Sequence, residues 1–145
     1  MEEFEKFVAV TKDTITKGRA KDYNVLVFAF VGDSVHTLFV RTYLASRSTA
    51  HAGKLHTLTN GFVRASAQAK IIAELHDTLT EDELQICKTA RNVKNNTVAK
   101  NADLEDYKKA TSFEALLGYL YLTNQTARVS ELLNKSIKIM EKIWK

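Results

Sequence analysis

Apolar positions along the chain recur every three or four residues, and nowhere do they alternate long enough to predict a strand. The pattern predicts six or seven helices, with no internal repeat and no low-complexity segment. A moderately amphipathic helix is expected over residues 2–17, stopping near Gly18. A second, capped by Asp22 or Asn24, runs to about Ala45. After the polar loop "RSTAHAGK", a long third helix runs from Leu55 to about His76, with a bend or break near Gly61. Thr80 to Glu83, "TEDE", matches a capping box and opens a helix ending near Arg91. Beyond the Asn- and Lys-rich loop "NVKNNTVAKNAD", Asp103 caps a short helix over 104–110, with continuation into "SFEALLGYLYL" left open. The polar break "TNQT" precedes a last helix from about Ala127 to Trp144. Its apolar stripe is Val129, Leu132, Leu133, Ile137, Met140 and Ile143 or Trp144.

Composition narrows the class. The 145 residues suit one domain, and a chain with no proline and five glycines is poor in the turns that a sandwich or barrel needs. An all-α single domain is expected. The acidic start "MEEFEKFVAV" is unlike a secretory signal, and the longest strongly apolar run, Val25 to Val31, is too short to span a bilayer. The single cysteine, Cys87, excludes an internal disulfide or Cys-rich zinc site and reads as a small buried apolar residue. A reducing cytoplasm fits.

The net charge of +4 says little, but its distribution says more. Forty residues, Ser34 to Ala73, contain no Asp or Glu, yet carry Arg41, Arg47, Lys54, Arg64 and Lys70 with three histidines. The chain average of 17 acids in 145 residues would place four or five there. A second acid-free stretch, Leu84 to Ala102, holds Lys88, Arg91, Lys94 and Lys100. Two such segments predict a face for a polyanion, with nucleic acid the leading candidate; a soluble face that merely lacks acids is the alternative.

Two carboxylates stand out against this background. Asp33 follows the apolar run in "VFAFVGDSV", a helix expected to be central and covered on all sides. That places Asp33 at the inner end of a buried segment or in a cleft reaching it. It is either hydrogen-bonded or ion-paired to a neighbouring helix, or a metal ligand. Glu114 enters the apolar run of "KKATSFEALLGYLYL"; Thr111 three residues earlier offers a capping box as its other explanation. Gly32 adjoins Asp33, and Gly118 lies one turn after Glu114. Glycine within a helix costs about 1 kcal/mol relative to alanine. A close approach of two helix backbones would explain both glycines and bring the acids to a common point.

"FVGDSV" and "TSFEALLGYLYL", about eighty residues apart, resemble the ribonuclease III catalytic domain, and its short bacterial branch, Mini-ribonuclease III, more closely. "VRTYL", "KLH", "A-Q-A-K" (Ala67 to Lys70), "ARNVK" and "VAKNAD" extend the resemblance over roughly residues 24–135.

The resemblance implies a helical endonuclease domain that hydrolyses double-stranded RNA to 5′-phosphate and 3′-hydroxyl ends, with Mg²⁺ held by Asp33 and Glu114. Full-length ribonuclease III uses four carboxylates. Here Ala29 and Thr111 occupy the positions of the other two, a departure the short branch shares. With two acids, water and the scissile phosphate would complete the ion's shell. His36, one turn after Asp33, either orients it or simply packs. The resemblance also implies a homodimer with Phe30 packed across the interface. It further implies a role in maturing large-subunit (23S) ribosomal RNA precursors, with a large-subunit ribosomal protein as possible helper. The chain ends at Lys145 without space for a separate RNA-binding domain, so RNA contacts are expected from Arg91, Asn92, Lys94 and Lys100, with the Arg41 to Lys70 region second. A non-catalytic RNA-binding scaffold that kept the fold is the alternative, and a helical DNA-binding protein a third reading. No membrane association is expected.

Overall fold

The computed structural model describes residues 15–93 and 103–143, and all regular structure among them is helical. Seven α-helices follow in order: α1 Lys17–Ala20, α2 Val25–Arg47, α3 Ala52–Val63, α4 Ala65–Leu75, α5 Glu81–Arg91, α6 Leu104–Leu122 and α7 Thr126–Ile143. A 3₁₀ turn, His76–Thr78, links α4 to α5. Most of the helix expected over 2–17 lies outside the described residues. Where it was expected to stop, α1 instead begins: the Thr16 hydroxyl accepts from the Arg19 N–H at 3.2 Å and Gly18 lies inside the turn.

Local chemistry accounts for the other boundaries. Asn24, not Asp22, caps α2, its Oδ1 accepting from the Leu26 N–H at 2.9 Å. The long third helix is two helices, broken at Arg64, where ψ swings to 157°, three residues after Gly61. The capping box at α5 is complete, with Glu83 and Thr80 exchanging bonds. Glu83 is also buried and gripped by Arg128 of α7 through Nε at 2.9 Å and Nη2 at 2.8 Å, which ties the two helices together. "TNQT" closes α6 with a Schellman motif. Asn124 takes positive φ, the Gln125 N–H donates to the Leu120 carbonyl and the Asn124 N–H to that of Tyr121.

The central helix is α6, not α2. Ala115 to Leu120 are buried without interruption, and α2, α4 and α5 all pack against this helix, with α7 against it and α4. The apolar run of α2 is covered on one side only. Val27, Phe30 and Leu38 remain 43%, 79% and 60% exposed, correcting the expectation of a helix enclosed all round. By length and composition α2 would pass for a membrane span. Its packing along α6 marks it as a core helix with one apolar face left open.

Candidate metal centre

Two glycines set the geometry of the site. A Cβ on Gly32 would run into the carbonyl of Glu114 and stand 2.9 Å from the backbone nitrogen of Gly118. A Cβ on Gly118 would run into the carbonyl of Phe28 and stand 3.0 Å from the nitrogen of Gly32. Helices α2 and α6 therefore cross in backbone contact, which only residues without side chains allow. Asp33 follows one glycine directly and Glu114 precedes the other by a turn, so the crossing delivers both carboxylates to one place.

There the Glu114 carboxyl lies within reach of the Asp33 side chain and of the Gln68 side chain of α4, which act on it in opposite senses. Two carboxyl groups this close repel when both are ionised, which favours keeping a proton on Glu114. Burial, and then the bond and charge of Asp33, push the Glu114 carboxyl up to about 8, with Gln68 opposing. A divalent cation would replace that proton and relieve the repulsion, so the pair fits a metal. Among the described residues no third His, Cys, Asp or Glu joins them as a ligand group.

Asp33 itself is exposed, not at the inner end of a buried segment as expected. It stands at the mouth because the face of α2 beside it is uncovered; Glu114 is the half-buried member. The capping-box explanation for Glu114 fails: α6 is already two turns old at Thr111, whose hydroxyl donates back to the Tyr107 carbonyl at 2.9 Å. Ala29 is buried. Neither position where the longer enzymes carry further acids offers a ligand here.

His36 packs, and its ring contacts are to Gln68 and Phe113 and not to Asp33. It is 1% exposed, edge-on to Phe113 at 5.0 Å, and burial lowers its pKa to about 4, so it is neutral. Its Nδ1 lies 2.9 Å from Nε2 of Gln68. Gln68 lay in "A-Q-A-K" without an assigned role. The available signal was a long amide set between alanines and ahead of Ile71 and Ile72, a polar group with no reason to be buried unless it had a partner.

Of the expected RNA contacts, Arg91 and Asn92 are exposed at the end of α5. Arg91 shares a cleft of about 260 Å³ with Lys88, Lys109 and His76, between α4, α5 and α6. Lys94 and Lys100 lie outside the described residues. Arg41, Arg47, Lys54, Arg64 and Lys70 are all exposed, and none forms an ion pair among the described residues. Cys87 is partly buried, its thiol donating to the Ser112 carbonyl at 3.8 Å, and burial pushes it up to about 12, beyond useful reactivity.

Comparison with known proteins agrees with the geometry. Residues 26–125 match the ribonuclease III domain family. Mini-ribonuclease 3 of Clostridium tetani is 42% identical over 89% of this chain and 86% of its own length. That of Brevibacillus brevis is 42% identical over 81% and 88% respectively. A crystal structure of a Fusobacterium nucleatum protein superposes with a TM-score of 0.75 at 29% identity, covering 82% of this chain and 95% of that one. The chain belongs to the ribonuclease III family, in its Mini-ribonuclease 3 branch, and is an endoribonuclease. Enzymes of this family are metal-dependent as a class.

The Glu114 shift has a consequence for stability. Its ordinary value is 4.5, so without metal the folded protein keeps a proton that the unfolded chain releases. That contribution is complete below about pH 4.5 and is lost as pH rises towards about 8. Thermal melts in EDTA should therefore show the melting point of wild type falling across this window relative to Glu114→Gln. Saturating divalent metal should remove the difference in slope. Parallel pH profiles in EDTA would show that Glu114 is an ordinary acid.

Proposed function

We propose that the protein is a Mg²⁺-dependent endoribonuclease that cuts double-stranded RNA and leaves 5′-phosphate and 3′-hydroxyl ends. The carrying observation is the meeting of Asp33 and Glu114 at a backbone crossing in a chain of this family. Asp33 and Glu114 would hold the ion. It would supply Lewis acidity against the scissile phosphate and make a water molecule acidic enough to attack. Asp33, at the open mouth, would face incoming phosphate, while Glu114, fixed on the central helix, would hold the ion from the sheltered side. Two carboxylates leave room for water and phosphate oxygens, a donor set that would suit Mg²⁺.

Exposed Arg91, Asn92 and Lys88 would grip phosphates and 2′-hydroxyls across the shallow minor groove, together with Lys94 and Lys100. The exposed cations of α2 to α4 extend this surface. Membership of this branch supports a role in maturing large-subunit (23S) ribosomal RNA precursors in the cytoplasm, with a large-subunit ribosomal protein as helper.

The working form would be a homodimer. Val27, Phe30 and Leu38 form one exposed stripe of α2. Beside it lies a groove of about 450 Å³, lined by Phe30, Val35, Leu38, Phe39, Val129 and Leu133 and by no charged residue. A second copy placing its own stripe there would cover both faces at once, as a two-fold interface requires. Sedimentation should give twice the 16.3 kDa chain mass for wild type and a monomer for Phe30→Asp; a monomeric wild type would sink the dimer.

The function is tested with a labelled RNA duplex, a single strand and a DNA duplex, each in Mg²⁺ or EDTA. Cutting is expected of the RNA duplex in Mg²⁺ alone. Binding without cutting would mean a scaffold that kept the fold.

A further inference from the structure

We infer that Gln68, seated on His36, is the positioning residue of the metal centre: its amide holds the Glu114 carboxyl group in line with Asp33 before any ion arrives. This rests on the reading of Asp33 and Glu114 as the ion's ligands. Gln68 is 2% exposed and His36 1%, so neither is a surface group that happens to touch the site. Only Nε2 of a glutamine can donate, and it carries two hydrogens. Nε2 stands 2.9 Å from Nδ1 of His36, so one hydrogen serves that contact and the other is available to Glu114. With Nε2 of Gln68 donating, His36 is the tautomer protonated on its own Nε2. Once an ion has displaced the proton of Glu114, a reversed amide would turn its carbonyl oxygen towards a carboxylate.

The chain of contacts therefore has a direction. Phe113 packs on His36, His36 orients Gln68, and Gln68 orients Glu114, all from α2, α4 and α6, the helices that make the core. A two-carboxylate site has particular need of this. With no third protein ligand to constrain the ion, the rotamer of Glu114 decides whether the pair is already shaped when metal binds. Groups that orient metal ligands from behind are typically worth about tenfold to a hundredfold in affinity or activity.

The test uses the full chain and Mn²⁺ alone as probe, with free Mn²⁺ followed by electron paramagnetic resonance. Gln68→Met keeps the volume and removes both donors. It should weaken Mn²⁺ binding by roughly tenfold or more, and at saturating metal lower kcat on the RNA duplex while leaving KM unchanged. Adding His36→Leu to it should cost no further affinity, because the histidine acts only through the amide; a further loss would overturn the relay. Asp33→Asn is the reference for the ion site. If it loses Mn²⁺ while Gln68→Met binds as wild type does, the positioning role is wrong and the metal site stands. If Asp33→Asn itself binds normally, the metal reading fails and this inference with it. Should Gln68→Met not fold, wild type decides: the Gln68 side-chain amide resonances should move during a Mg²⁺ titration, and resonances that stay still would overturn the proposal.

Discussion

Asp33→Asn and Glu114→Gln should each lower the rate of RNA-duplex cleavage by roughly a hundredfold to a thousandfold or more, the scale seen when one stabilising group is taken from a charged transition state. The loss should be this complete because the site has no reserve. Ala29 is a buried methyl, the Thr111 hydroxyl is spent on the Tyr107 carbonyl, and no third candidate ligand lies nearby among the described residues. Either substitution removes half of the protein's hold on the ion. Stability should move the other way or not at all. Burial and the neighbouring Asp33 both disfavour the charged form of Glu114, and a neutral amide at either position removes the repulsion between the two side chains. The measurement is kcat at saturating duplex and metal beside a thermal melt of each variant. Cleavage within tenfold of wild type in either one would mean that the reacting phosphate is served elsewhere.

Gly118→Ala should lower the melting point by roughly 5–15 °C, from overpacking that costs about 1–3 kcal/mol or more. Alanine is the better helix former by about 1 kcal/mol, but that gain cannot compensate here. The added methyl meets the carbonyl of Phe28, which is helix backbone and cannot rotate aside as a long side chain would. Relief requires α2 and α6 to move apart, and their separation is what sets the distance between Asp33 and Glu114. Mn²⁺ affinity should fall with stability. Gly32→Ala strikes the same crossing from the other side, so the two substitutions should combine to less than their sum. Gly18→Ala is the control: among the described residues its Cβ would meet only the Thr16 hydroxyl at 4.0 Å, and the change should be neutral or mildly stabilising. A Gly118→Ala protein with wild-type melting point and metal affinity would show that the crossing is not tight.

Much of this protein can be read without coordinates, because the features concerned are local. The period of apolar residues predicts helices, and Asn24, the Thr80–Glu83 box, Asp103 and the "TNQT" break mark where they begin and end. Each depends on groups within about four residues of one another. The paired glycines beside Asp33 and Glu114 were also legible, since a residue that costs helix stability needs a reason for being there.

What the coordinates alone decide depends on which surfaces meet. Burial is a property of neighbours, so periodicity could not say that α6 rather than α2 is the enclosed helix, nor that Asp33 stands exposed at the mouth while Glu114 is the sheltered acid. An apolar run looks alike whether a helix of the same subunit covers it or nothing in that subunit does; the resemblance nominated Phe30 for an interface, but periodicity could not show that Val27 and Leu38 stand open beside it. Gln68 is separated from His36 by 32 residues and from Glu114 by 46, and only packing of three helices brings one amide between them. The chain's own order determined the helices and nominated the two acids; tertiary contact determined which of them is buried, and what holds it in place.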